Sequence, residues 1–189
     1  MKQLVLHTIS TTPERSRKLL QSSIDNFGWI PNQSAYMSES PALLEAYQRA
    51  HDLFNGSSLN EEERAVVWIT TGRENSCAYT VQAHAFIALK GGVQAAVVQA
   101  LIDDADTLTP RLSQLRQFTK NTLSCRGQLP KAAIHAFLEH GFTNENMLDV
   151  VLGVSQKNMS ILLNSIAGTI IDQSFKLDDD AVTFESIGI

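Results

Sequence analysis

The chain has 189 residues, of which 43% are hydrophobic and 19% charged, with a formal net charge of −5 at pH 7. A chain of that length buries about 70% of its unfolded surface without metal or disulfide staples, so a single domain over 1–189 is expected. Weak acidity without a basic stripe excludes a primary nucleic-acid or anionic-membrane partner, and no apolar run approaches the roughly 18 residues needed to span a bilayer. Residues 1–7 start like a signal peptide, but polar Ser10-Thr11-Thr12-Pro13-Glu14-Arg15 follows too soon, and a cytoplasmic location is the default expectation. Cys77 and Cys125 have no close spacing and make neither a disulfide framework nor a zinc site.

In chain order, Pro13-Glu14-Arg15 opens a helix with Leu19, Leu20 and Ile24 on one stripe, and Asn26-Phe27-Gly28 stops it. Trp29-Ile30-Pro31-Asn32 reads as a turn or extended link, followed by a short helix over 35–38. Ser40-Pro41 begins a clear helix with a wide apolar stripe from Ala42 to Phe54, ended by Asn55-Gly56. Asn60-x-x-Glu63 is a capping-box pattern ahead of Ala65, Val66, Val67, Trp68 and Ile69. That run is apolar nearly all round and should be central. Its β-branched content would also suit a buried strand; the acidic first turn and helical neighbours favour a helix.

After Gly72-Arg73-Glu74, Asn75 and Ser76 are good N-cap types, which places Cys77 in the first turn of a helix ending at Gly91-Gly92. The short turn makes this helix and its predecessor an antiparallel pair. Helices then follow over 93–103, from Pro110 to Cys125, from Pro130 to His140, and from Thr143 to about Gly168. The acidic Asp178-Asp179-Asp180 tail is expected to be peripheral. The fold class is all-α, with about eight helices.

The chemistry centres on Cys77, Thr80 and His84. Orphan N–H groups and the helix dipole at a helix start favour a thiolate. Thr80 lies one turn from His84 and Cys77 two turns from it, so all three fall near one face, with Thr80 as the immediate neighbour of the imidazole. Each residue has a plainer alternative. Cys77 also suits a buried small hydrophobe, His84 a core group hydrogen-bonded to Thr80 or a carbonyl, and Glu63 a simple helix cap. Cys125 could resolve an oxidised Cys77 only if the two Cα atoms came within about 7 Å. Trp29, Trp68 and Tyr79 suit packing, and His7, His51, His135 and His140 have no metal-ligand spacing, so neither metal nor cofactor is expected.

Several motifs occur together in order: Phe27-Gly28-Trp29-Ile30-Pro31-Asn32, Glu39-Ser40-Pro41-Ala42-Leu43-Leu44-Glu45-Ala46-Tyr47, Leu59-x-x-x-Glu63-Arg64-x-Val66-Val67, Arg73-Glu74-Asn75-x-Cys77-x-Tyr79-x-x-x-x-His84, Leu112 to Phe118-Thr119, and Val150-Val151-Leu152-Gly153-Val154 with Asn164-x-Ile166-Ala167-Gly168-Thr169. Over about 26–175 the chain resembles the carboxymuconolactone decarboxylase/AhpD-like superfamily. The resemblance implies an all-helical homo-oligomer whose redox-active members use a C-x-x-C pair, a histidine four residues after the second cysteine, and a glutamate relay on the preceding helix. It carries the first cysteine to Cys77, the histidine to His84, the acid to Glu63 and the second cysteine to Thr80. A threonine hydroxyl forms neither a sulfenic acid nor a disulfide. The implied function is a one-cysteine antioxidant peroxidase or oxidoreductase acting on a small peroxide or an oxidised partner protein. The alternatives are a decarboxylase or lactone-processing enzyme using His84 and Glu63, with Arg64 or Arg73 holding a carboxylate, and a non-catalytic oligomeric relative.

Overall fold

The computed structural model describes residues 4–176 and 182–184, so the predicted acidic tail at Asp178-Asp179-Asp180 lies outside the described residues. Among the described residues the chain is all-helical: α1 (Arg17–Phe27), α2 (Asn32–Met37), α3 (Pro41–Asn55), α4 (Glu61–Glu74), α5 (Ala78–Lys90), α6 (Ala95–Asp103), α7 (Pro110–Ser124), α8 (Lys131–Glu139) and α9 (Asn144–Ala167), with short 3-10 turns at Glu14–Ser16 and Gln173–Phe175. No helix among these residues is long and apolar enough to cross a membrane. Gly28 and Gly168 end α1 and α9 in the left-handed conformation that glycine adopts without a Cβ penalty.

Helix α4 is the central element and packs on α5, α6, α7 and α9. Its consecutive Ala65, Val66, Val67, Trp68 and Ile69 are all buried, because neighbours cover every face of the helix. The capping box forms as expected: Asn60 Oδ1 accepts from Glu63 N at 2.9 Å, and Glu63 Oε2 accepts from Asn60 N at 3.0 Å. The other Glu63 oxygen accepts from Arg111 Nε at 2.7 Å, tying α4 to α7. Helix α9 crosses the core closely at Gly153, where a Cβ would lie 2.6 Å from the Phe54 ring and 2.9 Å from Val67 Cγ1.

A second apolar cluster joins the start of α5 to the α1–α2 link and the 3-10 turn after α9. Cys77, Tyr79, Ala83, Ile161 and Phe175 pack there with Phe27, Trp29 and Phe86 at its edge. Phe175 sits edge-on to Tyr79, Trp29 and Phe27, an arrangement the ring quadrupoles favour. The predicted packing roles of Trp29 and Tyr79 are met in this cluster.

Candidate functional site

The expected N-cap shifts by one to two residues. Cys77 itself occupies the N-cap, and α5 begins at Ala78. The reason is local: Asn75 turns back, and its Nδ2 donates to Thr71 O at 2.8 Å, closing the end of α4. Ser76 takes a left-handed backbone with φ 51° to reverse the chain. Cys77 N then donates to Gly72 O at 2.9 Å, while Cys77 O receives Val81 N at 3.1 Å. Cys77 is thus at the positive end of the α5 dipole, though its sulfur makes no hydrogen bond to the first-turn N–H groups.

Cys77 Sγ lies 3.2 Å from Thr80 Oγ1 and 3.8 Å from Asn164 Nδ2 of α9, which also donates to Gln33 Oε1 at 3.0 Å. Both Cys77 contacts can supply a proton toward sulfur. Cys77 is 8% exposed and lines a cleft together with Arg73, Glu74, Ser76, Ala78, Val81 and Asp104. Glu74 and Asp104 in that cleft are paired with Lys120, at 3.6 and 2.5 Å. Cys125 is in no disulfide and is exposed at the C-cap of α7, its Sγ 3.8 Å from Ser124 Oγ.

Thr80 faces a different space. A cavity of about 320 Å³ between α1, α2, α3 and α5 is lined by Thr80, His84, Tyr47, Tyr79, His51 and Gln33, with Phe27 and Phe175 among its apolar walls. The Cys77–Thr80 hydrogen bond therefore joins a residue that lines the cleft to one that lines the cavity. Arg64 Nη1 donates to Leu59 O and Arg73 Nη1 to Ile102 O, and neither arginine lines the cavity.

His84 is buried, and its ring centroid lies 4.5 Å from that of Trp68. Trp68 in turn stacks on His51 at 4.9 Å with planes 8° apart, so Trp68 is a wall between two imidazoles as well as core packing. His84 Nε2 meets Lys157 Nζ, and among the described residues His84 Nδ1 has no hydrogen-bond partner. Burial first, then the charges of Lys157 and His51, push the His84 pKa well below its ordinary value. Burial, followed by Lys157, lowers His51 to about 3. Neither ring is the cation that an isolated imidazole would become in mild acid.

The structure brings Cys77 and Thr80 together and places His84 further along the same helix. It does not bring Glu63 to them, since both its carboxylate oxygens are engaged by Asn60 N and Arg111. The relay position implied by the resemblance is thus occupied by a capping and ion-pairing group.

Lys157, Asn164 and Tyr47 join the candidate site; Tyr47 and Asn164 stand in motifs of the sequence without a site role, and Lys157 stands in none. Lys157 is 1% exposed; its Nζ donates to Tyr47 OH at 3.4 Å and lies 5.3 Å and 5.1 Å from the ring centroids of Tyr47 and Trp68. Burial depresses its pKa well below the ordinary lysine value, and the charge of Cys77 opposes that shift. A signal existed: Lys157 and Asn164 share the helical stripe of Val150, Gly153, Val154, Ser160 and Ile161, which is buried throughout.

Tyr79 OH donates to Asp172 Oδ2 at 2.7 Å, and the same carboxylate accepts Asn32 N at 3.1 Å. Burial, then the neighbouring Asp172 charge, raises the Tyr79 pKa and keeps the phenol protonated. This bond fixes the segment after α9 against the cavity wall.

The chain matches no described protein family by sequence, and no curated protein sequence resembles it significantly. Solved structures do resemble it. A peroxidase-related protein with an alkylhydroperoxidase AhpD core from Ralstonia eutropha JMP134 has a TM-score of 0.78 at 21% identity, covering 90% of this chain and 92% of that one. A peroxidase-related protein from Silicibacter sp. TM1040 has a TM-score of 0.76 at 19% identity, covering 92% of each chain. The debrominase Bmp8, as a cysteine-to-alanine variant in complex with 2,3,4-tribromopyrrole, has a TM-score of 0.78 at 13% identity, covering 93% of this chain and 94% of that one. The all-helical chain has the AhpD-like fold.

Proposed function

We propose that the protein is a one-cysteine thiol oxidoreductase that reduces hydroperoxides through Cys77. The observation that carries this reading is the placement of Cys77 at the N-cap of α5, with Thr80 Oγ1 3.2 Å from its Sγ where a second thiol would stand. The thiolate attacks the distal oxygen of the peroxide, an S–O bond forms as the O–O bond breaks, and the leaving alkoxide takes a proton, giving sulfenic acid and an alcohol. Two equivalents of an external thiol return the sulfenic acid to thiol, releasing water and a disulfide. Thr80 steadies the sulfur by hydrogen bonding and cannot itself resolve it.

Peroxide treatment in the presence of dimedone, followed by peptide mass spectrometry, tests the reading. The expected adduct lies on Cys77, forms ahead of any on Cys125, and disappears in Cys77→Ser. An unmodified Cys77 at millimolar peroxide would reject it.

The cavity, which Thr80 lines beside Cys77, favours a second reading, in which the Cys77 thiolate takes a halogen from an aromatic ring: an S–Br bond forms as the C–Br bond breaks, the ring carbon takes a proton, and two equivalents of external thiol return the sulfenyl bromide to thiol, releasing bromide and a disulfide, as the name debrominase suggests for the fold relative Bmp8. Phe27, Phe175, Tyr47 and Tyr79 give the 320 Å³ space aromatic walls suited to such a ring. Bromide release from 2,3,4-tribromopyrrole with excess thiol, followed by ion chromatography, supports it; no bromide rejects it. A homo-oligomer, which the resemblance implies, has apolar side chains available to cover in the exposed Leu148, Leu162 and Ile166 of α9. Analytical ultracentrifugation measures it, and a monomer at micromolar concentration removes that proposal.

A further inference from the structure

Two groups of side chains meet around the 320 Å³ cavity. Phe27, Tyr79 and Phe175 pack edge to face and give it flat apolar surface. Tyr47 and His84 form the other group, and one amine behind the wall joins them: Lys157 Nζ reaches Tyr47 OH at 3.4 Å and meets His84 Nε2.

A lysine buried as deeply as Lys157 ordinarily faces a carboxylate, because an unpaired ammonium in a low-dielectric interior is costly. Among the described residues Lys157 is in no ion pair; its neighbours are neutral, with the Tyr47 and Trp68 rings at 5.3 Å and 5.1 Å. Asp52 is the one carboxylate among the described residues that line the cavity, and its side chain is 78% exposed. The buried Asp172 carboxylate is already engaged by Tyr79 OH and Asn32 N. The protein thus places an amine beside the cavity and leaves its counter-charge to come from elsewhere.

The donors match that requirement. An amine in either charge state has N–H bonds to give, so with Nζ donating to Nε2 the single proton of the neutral His84 ring sits on Nδ1. That N–H is buried and has no acceptor among the described residues, a costly condition for a donor. Tyr47 OH accepts from Lys157, and burial keeps the phenol protonated, so it has a hydrogen to give as well.

We propose that the cavity is a binding site for a small planar aromatic monoanion. Its ring lies against Phe27, Tyr79 and Phe175, its oxygens accept from Tyr47 OH and His84 Nδ1, and Lys157 behind them supplies the opposite charge. An aromatic carboxylate and a phenolate share this chemistry. The site is independent of both readings of Cys77, since it needs neither a thiolate nor an oxidant.

Isothermal titration calorimetry at pH 7 with benzoate, 2,4-dinitrophenolate and uncharged benzamide tests the site. At least one anion should bind the wild type about tenfold or more tighter than benzamide, the effect of a nearby charge in a partly shielded interior. The tighter anion names the source as carboxylate or phenolate. Lys157→Met should lose this preference while keeping its affinity for benzamide, and that retained affinity shows that the variant is folded. A second measurement needs no variant: by NMR, the His51 and His84 ring resonances, both from the cavity lining, should shift as the anion saturates, while exposed His135 stays in place. No binding of either anion at millimolar concentration, equal affinity for anions and benzamide, a preference that survives in Lys157→Met, or heat without movement of the His84 resonance would each overturn the proposal. If Lys157→Met does not fold, the wild-type preference and the His84 shift decide it.

Discussion

Replacing Gly72 with alanine tests whether the close packing of α4 on α5 is what sets the Cys77–Thr80 contact. An alanine Cβ at position 72 would lie 2.8 Å from Thr80 Cγ2, 3.0 Å from Thr80 Cβ and 3.2 Å from Val81 Cγ2. Thr80 Cβ is bound directly to the α5 backbone, so the strain cannot be relieved by rotating a flexible side-chain end. Overpacking of this kind costs about 1–3 kcal/mol, while exchanging glycine for alanine within a helix returns about 1 kcal/mol. The expected net effect is a loss of about 1 kcal/mol, or roughly 2–4 °C in melting temperature for a chain of this size. Displacing Thr80 should also weaken its 3.2 Å contact with Cys77 Sγ and change the alkylation rate of the thiol. Urea unfolding and a timed iodoacetamide reaction read the two effects. A variant about 1 kcal/mol more stable, with unchanged Cys77 reactivity, would show that the α4–α5 spacing is not the constraint.

Tyr79→Phe removes the donor to the buried Asp172 carboxylate and should cost about 1.5–3 kcal/mol in urea unfolding; a cost under about 0.5 kcal/mol would mean that the bond does not anchor the segment. Thr80→Cys places a second sulfur where the hydroxyl stands 3.2 Å from Cys77 Sγ, so mild oxidation should remove two free thiols per chain, counted with a thiol reagent. Retention of both thiols after oxidation would contradict that geometry. His51 has a folded pKa of about 3 against an ordinary 6.5, so between those values the unfolded chain binds the proton and the folded chain does not. Its contribution is fully present above pH 6.5 and is lost as pH falls toward 3, at up to about 1.4 kcal/mol per unit, less because the ring is partly exposed. His51→Phe, which keeps an aromatic ring against Trp68, should flatten stability across that range. Lys157 is depressed in the same sense, so Lys157→Met should stabilise the fold at pH 7, with a gain that shrinks as pH approaches the ordinary lysine value; a gain constant with pH would exclude titration as its source.

The helices were largely legible in the sequence because their ends carry strong local signals. Asn60 and Glu63 cap α4, Pro41 and Pro110 open α3 and α7, and Gly28 and Gly168 close α1 and α9. The cap of α5 was misplaced by one to two residues because Asn75, a good N-cap type, was taken by the preceding helix end. The candidate site was legible only along one helix. Cys77, Thr80 and His84 are related by the period of α5, whereas Tyr47, Lys157 and Asn164 reach them from α3 and α9 by tertiary packing. Glu63 illustrates the opposite failure: its capping role was visible locally, while Arg111, forty-eight residues away, which takes its second oxygen, was not.

The hydrogen bond between Cys77 and Thr80 has a kinetic corollary. Cys77 is among the residues lining the cleft and Thr80 among those lining the cavity, so a molecule in the cavity can touch the hydrogen-bond partner of the sulfur while the cleft stays open. A compound lodged in the cavity would alter the turnover of Cys77 without contesting the approach of its reagent. Inhibition of that kind lowers the maximal rate while leaving the half-saturating reagent concentration unchanged, and a large excess of reagent would not relieve it.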